Sequence, residues 1–201
     1  MNNNTSPRTV KMVLLAILAA IMLVLTFTPL GYLKVGIIEI TFMTIPVAVG
    51  AIVLGPAAGA ILGGVFGATS FAHALLGLSP FGVALMGINP FYTFILTMVP
   101  RILMGWLTGL IFQGLHGKER TRKISYGAAS LSAALLNTIF FLSLLVLLFS
   151  NTEYFKDFQG NLSGLLALMG TIFVTNGLAE AAATMIIGGT IARVLIRYRG
   201  K

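Results

Sequence analysis

The chain has 201 residues, of which 57% are hydrophobic and only 9% charged. An ordinary soluble domain carries roughly 25% charged residues, so this chain cannot cover a water-facing surface, and its mean hydropathy of +0.98 agrees. The net charge of +8 would point to nucleic acid in a soluble protein, but here the positions of the cations carry the meaning, and the lack of cysteine excludes disulfides and thiolate chemistry.

A helix needs about 20 apolar residues to cross the hydrocarbon core. The length leaves room for six such helices and no soluble domain. Long continuous apolar runs argue for helices, because a transmembrane barrel shows short alternating segments. The expected fold is an all-α membrane protein with six transmembrane helices, a single integral membrane domain over residues 1–201.

Residues 1–9 read as a flexible polar N-terminus. Helix 1 is predicted over 10–27, ended by Thr28-Pro29-Leu30-Gly31, and lacks the small-residue cleavage site of a signal peptide. Tyr32 to Glu39 reads as a loop carrying Lys34 and Glu39. Helix 2 is predicted over 40–54 with Pro46 as a kink. Gly55-Pro56 forms a tight turn into helix 3, over 57–76. The Gly/Pro-punctuated stretch 77–90 is a long connection of the kind that is functional or re-entrant. Helix 4 is predicted over 91–115, a basic loop follows from His116 to Lys123, and helix 5 covers 125–149. A polar loop with Glu153, Lys156 and Asp157 precedes helix 6, over 165–196, which is longer than a span requires.

Orientation follows from lysines and arginines in short loops. Six helices place the N-terminus, the helix 2–3 turn, the helix 4–5 loop and the C-terminus on one side. That side holds ten cations, namely Arg8, Lys11, Lys118, Arg120, Arg122, Lys123, Arg193, Arg197, Arg199 and Lys201, against two, Lys34 and Lys156, on the other. Both termini are therefore expected in the cytoplasm. Arg101 belongs to neither side and falls inside helix 4.

A charge within a span costs about 2.5–3.5 kcal/mol on insertion scales, so the residues that bear that cost face neighbouring helices or a water-filled site. Four stand out: Arg101, Asn137, Asn176 and Glu180. At 1.5 Å per residue they lie ~14, ~18, ~17 and ~22 Å below the outer helix ends. Asn176 and Glu180, four apart, share a helical face. Three helices thus present polar groups in one layer, as a pocket for a small molecule requires, and a buried cation there suits a carboxylate. The competing reading is an Arg101–Glu180 ion pair with the asparagines as interhelical glue. His73, near the outer end of helix 3, is a candidate ligand contact or an interfacial histidine. Asn89, Phe91 and Tyr92 stand at the outer mouth of helix 4 as caps of the pocket or as belt aromatics. Trp106 reads as packing.

Small residues recur at a spacing of four: Ala16 and Ala20 on helix 1, Gly55, Gly59, Gly63 and Gly67 on helix 3, and Gly105 and Gly109 on helix 4. Such stripes let helix backbones approach closely. For helix 3, packing within the chain is a sufficient explanation; for helix 1, a separate protein is equally open. No phosphate-binding loop, zinc-protease motif or nucleophile elbow is present, which weighs against an enzyme and against ATP hydrolysis by this chain.

The chain resembles the S components, the substrate-binding subunits, of energy-coupling factor (ECF) vitamin transporters. The resemblance rests on six helices in about 200 residues, Ala16-x-x-x-Ala20, Ile45-Pro46, Val53-Leu54-Gly55-Pro56-Ala57-Ala58-Gly59, and Pro100-Arg101-Ile102-Leu103-Met104-Gly105-x-x-x-Gly109. Within the family it is most similar to pantothenate-specific members, through Thr41 to Phe71, Ser79-Pro80-Phe81-Gly82, Gly87-Ile88-Asn89-Pro90-Phe91 and Pro100-Arg101. The resemblance implies an S-component-like bundle in a prokaryotic plasma membrane that captures pantothenate at its outer face. Loop 1 (Thr28 to Glu39) and loop 3 (Gly77 to Pro90) would act as lids. Helix 1, through Ala16 and Ala20, would dock on a transmembrane coupling subunit driven by two cytosolic ATPases, so that ATP is used by the partners and no cofactor by this chain. The S component would topple in the membrane to release the vitamin inside. Arg101 would anchor the carboxylate and Asn137 bond the amide or a hydroxyl, with Asn176, Glu180, Tyr92, Asn89 and His73 as further candidates. The alternatives are another vitamin (folate, riboflavin or a queuosine precursor), a solitary secondary transporter and an intramembrane enzyme.

Overall fold

A computed structural model describes residues 6–28, 31–35, 38–150, 152, 170 and 177–199, and for residues 7, 32–35, 38–40 and 199 the backbone alone. Helix α1 (Pro7–Thr26) leads to a hairpin of β1 (Tyr32–Val35) and β2 (Ile38–Thr41). Then follow α2 (Thr44–Leu54), α3 (Pro56–Leu75), α4 (Pro80–Ile88), α5 (Pro90–His116) and α6 (Ser125–Phe149). The described chain closes with α7 (Leu178–Ala183), a π-helical turn (Thr184–Gly188) and α8 (Gly189–Arg199), which form one continuous helix.

The helix starts follow directly from the sequence. Ser6, Ser79 and Asn89 each cap a helix whose first residue is proline, their side-chain oxygens accepting from the Thr9, Gly82 and Phe91 amides. Proline has no N–H to leave unsatisfied at that position, and its fixed φ suits the first turn. Gly55, at φ 102°, makes the reversal between α2 and α3 that a residue with a side chain would resist. Gly77, at φ 73°, ends α3 with Leu78 N–H donating to His73 O and Gly77 N–H to Ala74 O, a Schellman closure.

Among the described residues, five helices are long and apolar enough to cross a membrane: Arg8–Thr26, Pro56–Leu75, Pro90–His116, Ser125–Phe149 and Leu178–Tyr198. The expected second span is different. It begins at Thr44, not near residue 40, and its 11 residues reach only ~16 Å at 1.5 Å per residue. Residues 38–41 are instead a strand, paired antiparallel with 32–35 in the register Tyr32–Thr41 to Val35–Ile38. The stretch predicted as a loop, Tyr32 to Glu39, thus supplies all of β1 and the start of β2, because its Tyr, Val and Ile residues favour extended backbone and strand pairing gives backbone amides partners. Pro46 then falls in the first turn of α2, where no helical hydrogen bond is lost, and the expected kink has no cause. The expected connection 77–90 likewise contains a nine-residue helix, α4.

Short as it is, α2 is the most enclosed element. Thr44, Pro46 and every residue from Val47 to Ile52 are buried, packed against α1, α3, α5, α6 and α8. A helix apolar on all sides belongs in such a place. Around it, α3 and α5 make the closest pair. A Cβ on Gly59 would strike the Gly105 carbonyl, one on Gly63 the Arg101 carbonyl, and one on Gly105 the Gly59 carbonyl. The two glycine rails therefore bring backbone onto backbone. Near the other end of the bundle, Val49, Ile52, Phe112, Ala129 and Ala192 form a core cluster with Leu18, Leu195 and Ile196 against it. The start of α1, the α2–α3 turn, the α5–α6 connection and the end of α8 thus share one end, and the hairpin and α4 lie at the opposite one.

Candidate functional site

Arg101 is held by its own helix. Pro100 cannot donate to the Leu96 carbonyl four residues before it, so that carbonyl loses its helical partner. Arginine side chains on helices lean towards the N-terminus, and here the Arg101 guanidinium turns back so that Nη1 donates to Leu96 O at 2.7 Å. The Pro-Arg pair both frees an acceptor and fills it. The guanidinium carbon also lies 5.3 Å from the ring centre of Phe66 on α3 and 4.9 Å from that of Phe141 on α6. Each contact is worth about 0.5–2 kcal/mol, more as water is excluded. Gly63 sets the height of this arrangement, since its missing side chain lets α3 touch the Arg101 carbonyl.

Phe141 continues outward to Phe81 on α4, ring centres 6.4 Å apart, so the short helix at the hairpin end rests on the aromatic that flanks Arg101. One turn inward on the same face of α6 stands Asn137. It is 7% exposed, and its Oδ1 has no hydrogen-bond partner among the described residues. A buried acceptor left unmet costs about 1–3 kcal/mol, so this oxygen is a place where a ligand N–H or O–H would be welcome.

Glu180 on α7 is 4% exposed, and its Oε1 accepts from the Thr41 backbone N–H at 2.7 Å. It lies within electrostatic reach of Arg101. One turn further, the hydroxyls of Thr44 and Thr184 are 2.8 Å apart, also buried. These two rungs bind the end of the hairpin and the start of α2 to the C-terminal helix, the second rung falling on the π-helical turn. Glu180 therefore joins the hairpin to the layer that holds Arg101.

The remaining expected site residues have partners of their own. His73 Nε2 is 2.8 Å from Thr26 O, tying the last turn of α1 to the end of α3. Asn89 spends its Oδ1 on the Phe91 and Tyr92 amides as the cap of α5. Tyr92, 37% exposed, packs edge-on against Phe149. Trp106, expected as packing, is 46% exposed on the outside of α5. Asn176 lies outside the described residues, as does the start of the sixth predicted span.

Phe66, Phe141, Phe81, Thr41 and the Leu96 carbonyl were not anticipated. Two of them had a signal: proline before Arg101 marks an unpaired carbonyl at Leu96, and Phe141 is four residues from Asn137. The others become neighbours only through the fold.

Two comparisons bear on this arrangement. The family model described as "ECF transporter, substrate-specific component" matches residues 10–191. A curated relative, the pantothenic acid transporter PanT of Lactococcus lactis subsp. cremoris (strain MG1363), is 28% identical over 196 residues, 92% of this chain and 93% of that protein. With nearly all of its length matched and its long apolar helices packed around one polar layer, this plasma-membrane chain belongs to the family of substrate-specific components of ECF transporters.

Proposed function

We propose that this chain is the pantothenate-binding subunit of an ECF importer, with Arg101 as the anchor of the vitamin's carboxylate. The observation that carries the reading is the Arg101 site: a cation inside a membrane bundle, aimed by Leu96 O and flanked by Phe66 and Phe141. The 28% identity to a pantothenic acid transporter agrees with it. Guanidinium and carboxylate match as bidentate partners. Asn137 Oδ1 would accept from the ligand's amide or a hydroxyl, and Glu180 would hold the hairpin as a lid over the pocket. Asn176, Tyr92, Asn89 and His73 stand as outer candidates.

The hairpin end faces outward and both termini lie in the cytoplasm, by the positive-inside bias. In this reading the chain makes six crossings, the five long helices and the short buried α2. The chain hydrolyses no ATP and needs no cofactor; two ATPases act on a transmembrane coupling subunit that receives α1. Support for that docking comes from α1 itself: 11% of its apolar stretch is buried, against 33–39% in the other four long helices. Ala16 and Ala20 lie on its exposed surface.

Calorimetry on purified protein tests the anchor. Arg101→Ala is expected to weaken pantothenate binding about 100-fold or more while the protein stays monodisperse in detergent. Tight binding by the variant would refute the carboxylate contact. A second reading, a vitamin with a flat ring, is favoured by the two phenyl rings beside Arg101. Mass spectrometry of the small molecule retained after purification separates the two.

A further inference from the structure

The end of the bundle opposite the hairpin holds a cleft of about 370 Å³ lined by His116, Arg122, Lys123, Tyr126 and Arg193. Three of these five are cations and none is acidic. Four of them lie between the end of α5 and the first turn of α6, and Arg193, from the second turn of α8, closes the hollow from a distant part of the chain. A bias of positive loops requires cations at this end but does not require them to converge on one hollow.

The wall of the hollow is built firmly. The His116 ring stacks on Phe112 at 4.8 Å and meets Tyr126 edge-on at 5.4 Å. Ser125 Oγ donates to Arg122 O at 2.8 Å and lies 3.0 Å from His116 Nδ1, so with its own proton given away it accepts from the Nδ1–H. This chain of contacts ties the connection that carries Arg122 and Lys123 to the ends of both helices. Arg122, Lys123 and Arg193 keep exposed side chains around it.

We propose that this cleft binds a phosphate group, the chemistry shared by an anionic phospholipid headgroup and a soluble phosphate. The site lies where two long apolar helices end, at the level of lipid headgroups. Basic pockets between transmembrane helices bind such headgroups. Arginine presents a planar fork of donors that fits phosphate oxygens, and a tyrosine with an apolar body and a polar tip is at home at that depth.

The test is native mass spectrometry of the full chain in detergent, titrated with phosphatidylglycerol, phosphatidylcholine or inorganic phosphate. Phosphatidylglycerol is expected to bind saturably and about tenfold or more tighter than phosphatidylcholine. Each charge removed should weaken it about fivefold, so Arg122→Gln/Arg193→Gln should lose about 25-fold. Arg8→Gln/Lys11→Gln removes equal charge outside the cleft and should change binding less than about twofold. Displacement of the lipid by inorganic phosphate, or saturable phosphate binding that the lipid does not displace, would each support the site and name its source. Equal retention of the two lipids with no phosphate binding, or equal losses in the two double variants, would overturn it. All four replaced side chains are exposed, and Arg122→Lys/Arg193→Lys, which keeps the charge, should restore most of the binding.

Discussion

Two stripes of small residues run along this protein at the same spacing and meet opposite neighbours. On α3, Gly59, Gly63 and Gly67 lie against Gly105, Arg101 and Thr97, backbone on backbone. On α1, Ala16 and Ala20 touch no such rail and lie exposed on the least buried of the long helices. A spacing of four says that a helix can be approached closely. It does not say by what. The difference in residue is informative: glycine stands where a main-chain carbonyl of the same protein occupies the Cβ position, and alanine where the approach is left open. The same contrast divides the polar residues. Glu180 has a partner in Thr41, whereas Asn137 Oδ1 has none among the described residues.

If a partner within the chain means stability and its absence means binding, substitutions should sort accordingly. Gly63→Val should have the largest effect. Its side chain must displace the Arg101 carbonyl, an over-packing of about 3 kcal/mol or more, seen as aggregation or a sharply lowered melting temperature in size-exclusion thermal scans. A well-folded Gly63→Val would mean that α3 and α5 can slide apart. Glu180→Ala comes next: it strands the Thr41 N–H and should cost about 1–3 kcal/mol. Glu180→Gln keeps an acceptor and should recover most of that loss; equal damage from both would remove the hydrogen bond as the reason. Asn137→Leu should leave stability within about 1 kcal/mol, since an unmet acceptor is removed, yet weaken ligand binding about tenfold. A destabilised variant with unchanged affinity would make Asn137 interhelical glue. Ala16→Leu should change stability least, within about 0.5 kcal/mol, while co-purification of the coupling subunit is lost. Undiminished co-purification would move the docking face elsewhere.

The long helices are legible because each is an apolar run, and three of them, α1, α3 and α5, also begin on a proline behind Ser6, Gly55 and Asn89; both signals are local. Helix 5 was read at 125–149, and α6 is Ser125–Phe149. The hairpin is hidden in the sequence because β2, Ile38-Glu39-Ile40-Thr41, alternates over only four residues before an apolar helix, too short a stretch for its period to stand out. For the site, Arg101, Asn137 and Glu180 were visible as polar residues in apolar surroundings. His73 and Asn89 looked equally exposed to function, and only their contacts revealed a tie to α1 and a helix cap.

The sequence by itself determined that the chain lives in lipid, where α3, α5 and α6 begin, which end carries the cations, and that Arg101 is the cation held within a span. These follow from solvent and from local backbone chemistry. The tertiary structure alone decided that α2 is a short buried plug, that Phe66 and Phe141 flank the guanidinium, that Glu180 fastens the hairpin, and that residues 122, 123 and 193 converge on one cleft. Each of these joins groups far apart in the chain. Such contacts depend on how closely two backbones can approach, and that distance is set where the glycines of α3 meet the carbonyls of α5.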